Sequence, residues 1–179
     1  KMYPMIASLR RPNPIDRPLL ILHLEDSAAD QRLTSMTLRR AGLPCKINCV
    51  DTLENFVAAL NAQAYDIVVA DYYLPGFTAM DAWAAVNTLP QCPPFVLLSG
   101  AIGEAAAVDA IRKGIADYLL KDDMARLPHV LSRAIEVNEA RRAKEQAMLD
   151  LAHSEQQLAA LTEHLQQSIE QERAAIARE

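Results

Sequence analysis

No stretch of this chain is densely basic. The arginines are scattered, the net charge is -5 and the sequence pI is near 5.4, which excludes the electrostatic footprint of direct nucleic-acid binding. No apolar run approaches the ~18 residues a membrane span requires. The N-terminus also lacks the apolar core of a signal peptide, so the chain as given reads as soluble and cytosolic. Cysteine is scarce and odd in number. Cys45, Cys49 and Cys92 lie in or beside predicted strands without matching histidines, which speaks against a disulfide framework or a zinc site and for reduced, structural thiols. Glycine ends at Gly114 and proline at Pro128, leaving the final fifty residues without a helix breaker.

The chain has 179 residues, 51% of them apolar, enough for one full core plus an appendage but too few for two large domains. Residues 1–18 carry Pro4, Pro12, Pro14 and Pro18 among Arg10, Arg11 and Arg17, which suits an extended lead-in and neither a helix nor a central strand. From Leu19 short apolar runs alternate with amphipathic segments. The pattern predicts strands at 19–24, 46–50, 66–70, 94–98 and 116–120, and helices at 28–41, 52–63, 78–89 and 103–113. Such alternation means an α/β fold, a parallel sheet covered on both faces. Gly42 and Gly114 stand where left-handed caps end the first and fourth helices.

Four polar positions each follow an apolar run. Asp71 ends Asp66-Ile-Val-Val-Ala70, Glu25 and Asp26 follow LLILHL, Ser99 follows PFVLL and Lys121 follows DYLL. In an open parallel sheet ligands bind beyond the carboxyl ends of the strands, so these groups should meet in one pocket. Glu25, Asp26 and Asp71 would repel one another without a cation between them. Hard oxygen donors of this kind select Mg²⁺ or Mn²⁺ and leave coordination positions for phosphate oxygens. Lys121 adds a positive charge and Ser99 a hydroxyl donor, a clamp for a transferring phosphoryl group, with the Asp71 carboxylate left to accept it as an acyl phosphate.

These residues resemble the receiver domains of two-component response regulators. The resemblance covers roughly residues 19–135 and rests on Glu25-Asp26, Asp71 in DIVVADYYLPG, Ser99 in FVLLSGAIGE and Lys121 in ADYLLKDD, in the family's order and approximate spacing. It implies a five-stranded doubly wound parallel sheet of flavodoxin-like order 2-1-3-4-5, with a metal site completed by the backbone carbonyl of Tyr73. It also implies a switch in which phosphorylated Asp71 attracts the Ser99 hydroxyl and Tyr118 turns into the vacated space. The implied partner is a histidine kinase or phosphotransfer protein. One departure is that Lys121 is followed by Asp122, where the family usually has a proline in a cis peptide; a trans bond is the default for this pair.

From about residue 125 the composition predicts one long helix, roughly 80 Å at 1.5 Å per residue. Leu127, Val130, Leu131, Ala134 and Ile135 would dock its first turns on the sheet, while Leu151, Leu158 and Leu165 recur every seven residues with Leu161 between them. The expected divisions are a receiver at 19–135 and a coiled-coil linker at 136–179 that pairs two copies of the chain. Arg173–Glu179 are similar to a stretch that leads into the phosphoacceptor histidine of one histidine-kinase subfamily, which implies a larger hybrid kinase. His153 and His164 lack the following acid that such a histidine needs. His23 should be a hydrogen-bonded core imidazole, His129 a decoration of the fifth helix, and Trp83 a packing residue. Two other readings compete with the signalling one. A haloacid-dehalogenase-like phosphohydrolase would need an acid at the position of Tyr73. A receiver-like dimerisation scaffold would have no use for the complete acid, serine and lysine set.

Overall fold

A computed structural model describes residues 17–100 and 104–176; apart from Arg17 and Pro18, the lead-in lies outside the described residues. The elements in chain order are β1 (Leu19–Leu24), α1 (Ala28–Arg40), β2 (Cys45–Val50), α2 (Leu53–Ala62), β3 (Ile67–Asp71), β4 (Tyr73–Leu74), β5 (Phe77–Thr78), α3 (Ala79–Val86), β6 (Phe95–Ser99), α4 (Glu104–Arg112), β7 (Asp117–Leu120) and α5 (Leu127–Ile176). A 3₁₀ turn, Lys121–Arg126, precedes α5. Five strands form one parallel sheet in the order β2-β1-β3-β6-β7. The two-residue strands β4 and β5 pair only with each other around Pro75-Gly76, so the order of the main strands is the expected 2-1-3-4-5.

The strands follow from burial. β1, β3 and β6 occupy the centre and are apolar almost throughout, as strands covered on both faces must be. β2 lies at an edge, where Lys46, Asn48 and Cys49 are exposed and Cys45, Ile47 and Val50 are half-buried. One face of the sheet presents Leu22, Leu24, Val68, Ala70 and Leu97 to Phe56, Trp83 and Val86. The other presents Ile21, Ile67, Val69, Val96 and Leu98 to Leu38, Leu127, Leu131 and Ile135. Trp83 is a packing residue, its ring edge-on to Phe95 at 5.6 Å and its Nε1 donating to the Lys113 carbonyl at 3.1 Å.

Local chemistry places the helix ends. Ser27 caps α1 by accepting the Asp30 N–H, and Thr52 caps α2 by accepting the Asn55 N–H. α3 ends at Val86 rather than residue 89: the Thr88 hydroxyl donates to the Ala85 carbonyl, and Pro90 disfavours helical backbone in the residue before it. α5 begins at Leu127 with Pro128 in its first turn, where a missing N–H costs nothing. Gly42 and Gly114 both have positive φ, at 69° and 100°. After Gly114, Ile115 N–H reaches the Ala110 carbonyl and Gly114 N–H the Ile111 carbonyl, the paired bonds of a Schellman ending.

The chain divides into two units, 1–136 and 137–179. In the second, Leu151, Leu158 and Leu165 are exposed, as are Met148, Leu149, Leu161 and Ile169. Among the described residues no helix is long and apolar enough to cross a membrane.

A Cβ at Gly114 would sit 3.2 Å from Trp83 Cζ2 on a backbone that L-residues avoid. Gly114→Ala should therefore destabilise the chain by about 1–3 kcal/mol, read as a lowered midpoint in urea, whereas an unchanged midpoint would mean that the loop relaxes freely.

Candidate functional site

Strand register brings the chemistry together. Leu24 of β1 stands opposite Ala70 of β3, which sets Glu25 beside Asp71 one step later. Asp71 pairs with Leu98 of β6, and Ser99 with Leu120 of β7, so Ser99 and Lys121 lie at the next two strand ends. Three carboxylates, Glu25, Asp26 and Asp71, have ligand atoms within 4.8 Å of one another. Glu25 is fully buried, Asp71 half-buried and Asp26 exposed.

The Lys121 ammonium bridges this rim. It donates to Glu25 Oε2 at 2.8 Å, Asp71 Oδ2 at 2.8 Å and Asp30 Oδ2 at 2.5 Å. Burial by itself would lower the lysine pKa, but the three carboxylates overrule it and raise it far above the ordinary value. Burial pushes Glu25 above the usual carboxylate range, against the opposing pull of Lys121 and of the Ser27 N–H, which bonds Glu25 Oε1 at 3.0 Å. Asp30 was not singled out from the sequence. It lies in the first turn of α1, four residues after Asp26, a spacing that returns to the same side of a helix start.

Ser99 Oγ is buried with no hydrogen-bond partner among the described residues. Tyr118 lies on the edge strand β7 with 37% of its surface exposed, and Tyr73, in β4 just past β3, is exposed and packs edge-on against Tyr72 at 4.8 Å. No peptide bond among the described residues is cis, so Lys121–Asp122 is trans. His129 and His164 are exposed on α5, as is His153, which bonds Gln157 at 2.9 Å. Cys45, Cys49 and Cys92 are not joined in disulfides.

His23 is a core imidazole with a single weak hydrogen bond, to sulfur. The imidazole is fully buried, but Nε2 has no partner among the described residues and Nδ1 has only the Cys49 sulfur at 3.9 Å. β1 lies between β2 and β3, and its side chains project from the sheet faces, so the in-plane backbone ladder offers the ring no partner. Burial first, and the Lys121 charge second, hold its pKa down at about 4, with Asp30 opposing.

A family model for the response regulator receiver domain matches residues 21–132. Response regulator protein FleR of Pseudomonas aeruginosa is 34% identical over 108 residues, 59% of this chain and 22% of that protein, so the match spans only a fraction of this relative's length. Among solved structures, NtrX from Brucella abortus superposes with a TM-score of 0.63 at 26% identity, covering 72% of this chain and 29% of NtrX. The receiver domain of the sensor histidine kinase PA1611 from Pseudomonas aeruginosa PAO1, solved with magnesium coordinated in its active-site cleft, gives a TM-score of 0.57 at 24% identity, covering 66% of this chain and 98% of that one.

The buried His23 makes stability depend on pH. Unfolded, it titrates near 6.5 and folded near 4, so between those values the unfolded chain binds a proton that the folded chain refuses. Stability contributed by the neutral imidazole is complete above about pH 6.5 and falls as pH drops toward 4, by on the order of 3 kcal/mol. His23→Leu should remove that slope when urea unfolding is measured across this range, and identical slopes in the two proteins would contradict the assignment.

Proposed function

The chain belongs to the receiver-domain family of two-component response regulators, and from that membership we propose a phosphoacceptor module in which Asp71 takes a phosphoryl group from a histidine kinase or phosphotransfer protein. The observation that carries this reading is the Lys121 ammonium 2.8 Å from Asp71 Oδ2, next to a rim of carboxylates. In the transfer, the Asp71 Oδ–P bond forms as the N–P bond of a phosphohistidine breaks, and the departing imidazole nitrogen keeps the electron pair and takes up a proton. Lys121 faces the negative charge that gathers on the phosphoryl oxygens. Ser99, a buried hydroxyl without a partner, gains an acceptor once such oxygens arrive.

Receiver domains bind Mg²⁺ or Mn²⁺ at an acidic site, and the donor set here suits such an ion. Glu25, Asp26 and Asp71 offer three hard oxygens within 4.8 Å, and the Tyr73 carbonyl is the fourth protein ligand on this reading. A bound divalent ion offsets the repulsion between the carboxylates and the incoming phosphoryl group.

The phosphoryl group adds close to two negative charges and strong acceptors at one point, which gives the differential contact a switch requires. Ser99 turning toward it would open space for Tyr118, whose partial exposure on an edge strand leaves it free to change rotamer. Beyond the receiver, at 19–135, the linker at 136–179 serves as the output, its helix pairing with a second copy through Leu151, Leu158, Leu161 and Leu165. Their exposure at heptad spacing supports that seam, since a helix of this length without a partner is marginal in water. The likeness of Arg173–Glu179 to the approach of a kinase histidine supports a hybrid histidine kinase as the setting; residues 177–179 of that stretch lie outside the described residues. The setting is cytoplasmic, where kinases draw on ATP.

Two measurements follow. Incubated with phosphoramidate and Mg²⁺, the chain should take up one acid-stable, base-labile phosphoryl group and Asp71→Asn none; continuous phosphate release or labelling of the variant would refute the module. Sedimentation should show a dimer that Leu158→Lys with Leu165→Lys converts to monomer, and a monomeric parent chain would refute the seam.

A further inference from the structure

We infer that Asp30 is a positioning residue for phosphoryl transfer at Asp71, the partner that keeps the Lys121 ammonium beside the acceptor when a divalent ion claims the other carboxylates. The inference rests on the phosphoacceptor reading and adds a residue to it.

A lysine ammonium has three N–H donors, and here all three are taken, by Asp30, Glu25 and Asp71. Two of these acceptors also belong to the carboxylate group that can hold a cation; Asp30 does not. A divalent ion drawing on Glu25 and Asp71 would weaken two of the lysine's bonds and set a second cation nearby. Lysine has a long flexible stem and a strongly hydrated head, so an ammonium repelled in this way swings into solvent unless one anion is reserved for it. Asp30 is that anion.

Its position is built rather than incidental. The Asp30 N–H bonds Ser27 Oγ at 3.3 Å, the Ser27 N–H bonds Glu25 Oε1 at 3.0 Å, and Gln31 Nε2 donates to the Glu25 carbonyl at 2.7 Å. These bonds tie the first turn of α1 to the end of β1, which fixes the Asp30 backbone relative to the site. The side chain is 35% exposed, so a neutral replacement there leaves the core intact.

The test is the rate of labelling by phosphoramidate at saturating Mg²⁺, which removes any change in ion affinity, for the full chain and a double-mutant cycle of Asp30→Asn with Lys121→Met. Asp30→Asn should slow labelling about tenfold in the parent background and less than about twofold when Lys121 is already Met, because the carboxylate acts through the ammonium. Asp30→Glu, which keeps the charge, should restore most of the rate, and circular dichroism should show every variant folded. An equal loss in both backgrounds, no loss in the parent, a Glu variant as slow as the Asn variant, or an Asn variant that does not fold would each overturn the inference. A parent chain that takes up no label would overturn the phosphoacceptor reading and this inference with it, so the two failures are distinguishable.

Discussion

The Lys121 ammonium joins segments that lie 96, 91 and 50 residues away in the chain, at Glu25, Asp30 and Asp71. Its charge offsets the repulsion among these acids, which is strong for like charges held at this spacing in a partly desolvated cleft. The sheet places them there by register, with β1, β3, β6 and β7 ending in step. Packing supplies the stability that lets charges gather. The central strands are buried on both faces by two apolar clusters, so the rim need contribute no net stability of its own.

Three groups near this rim are expensive to bury. Glu25 lies out of solvent, and both Ser99 Oγ and His23 Nε2 lack partners among the described residues. Unsatisfied buried polar atoms are uncommon in folded chains because each forgoes a hydrogen bond to water. The orphan Ser99 hydroxyl has a use if phosphoryl oxygens arrive at Asp71. His23 has no such use on this account; it stays neutral at physiological pH and behaves as core volume.

The sheet was legible because strands covered on both faces must be apolar throughout, and LLILHL, DIVVA and PFVLL leave little else to be. The strand-end groups were legible for a related reason, since a polar side chain just past such a run can only sit at the rim. Asp30 was not, because an acid in a helix's first turn reads as a favourable dipole contact, and only the folded register shows a lysine from residue 121 reaching it. The β4–β5 hairpin escaped notice as well, its strands being too short to carry a period. For His23, burial could be read from a run of apolar neighbours, whereas the bare Nε2 and the sulfur partner at Nδ1 could not. The long helix was plain from its missing breakers, and its leucines at seven-residue spacing are exposed.

The central claim is that one lysine and three carboxylates form a cradle for a cation and a phosphoryl group. A high-resolution crystal structure of the chain grown with Mg²⁺ and a beryllium fluoride phosphate mimic tests it most directly. The account requires the ion on oxygens of Glu25, Asp26 and Asp71 at about 2.1 Å, the mimic on Asp71 Oδ, and Lys121 still bonded to Asp30 while it contacts the mimic. An ion bound elsewhere, or a Lys121 side chain turned out to solvent with the mimic in place, would contradict it.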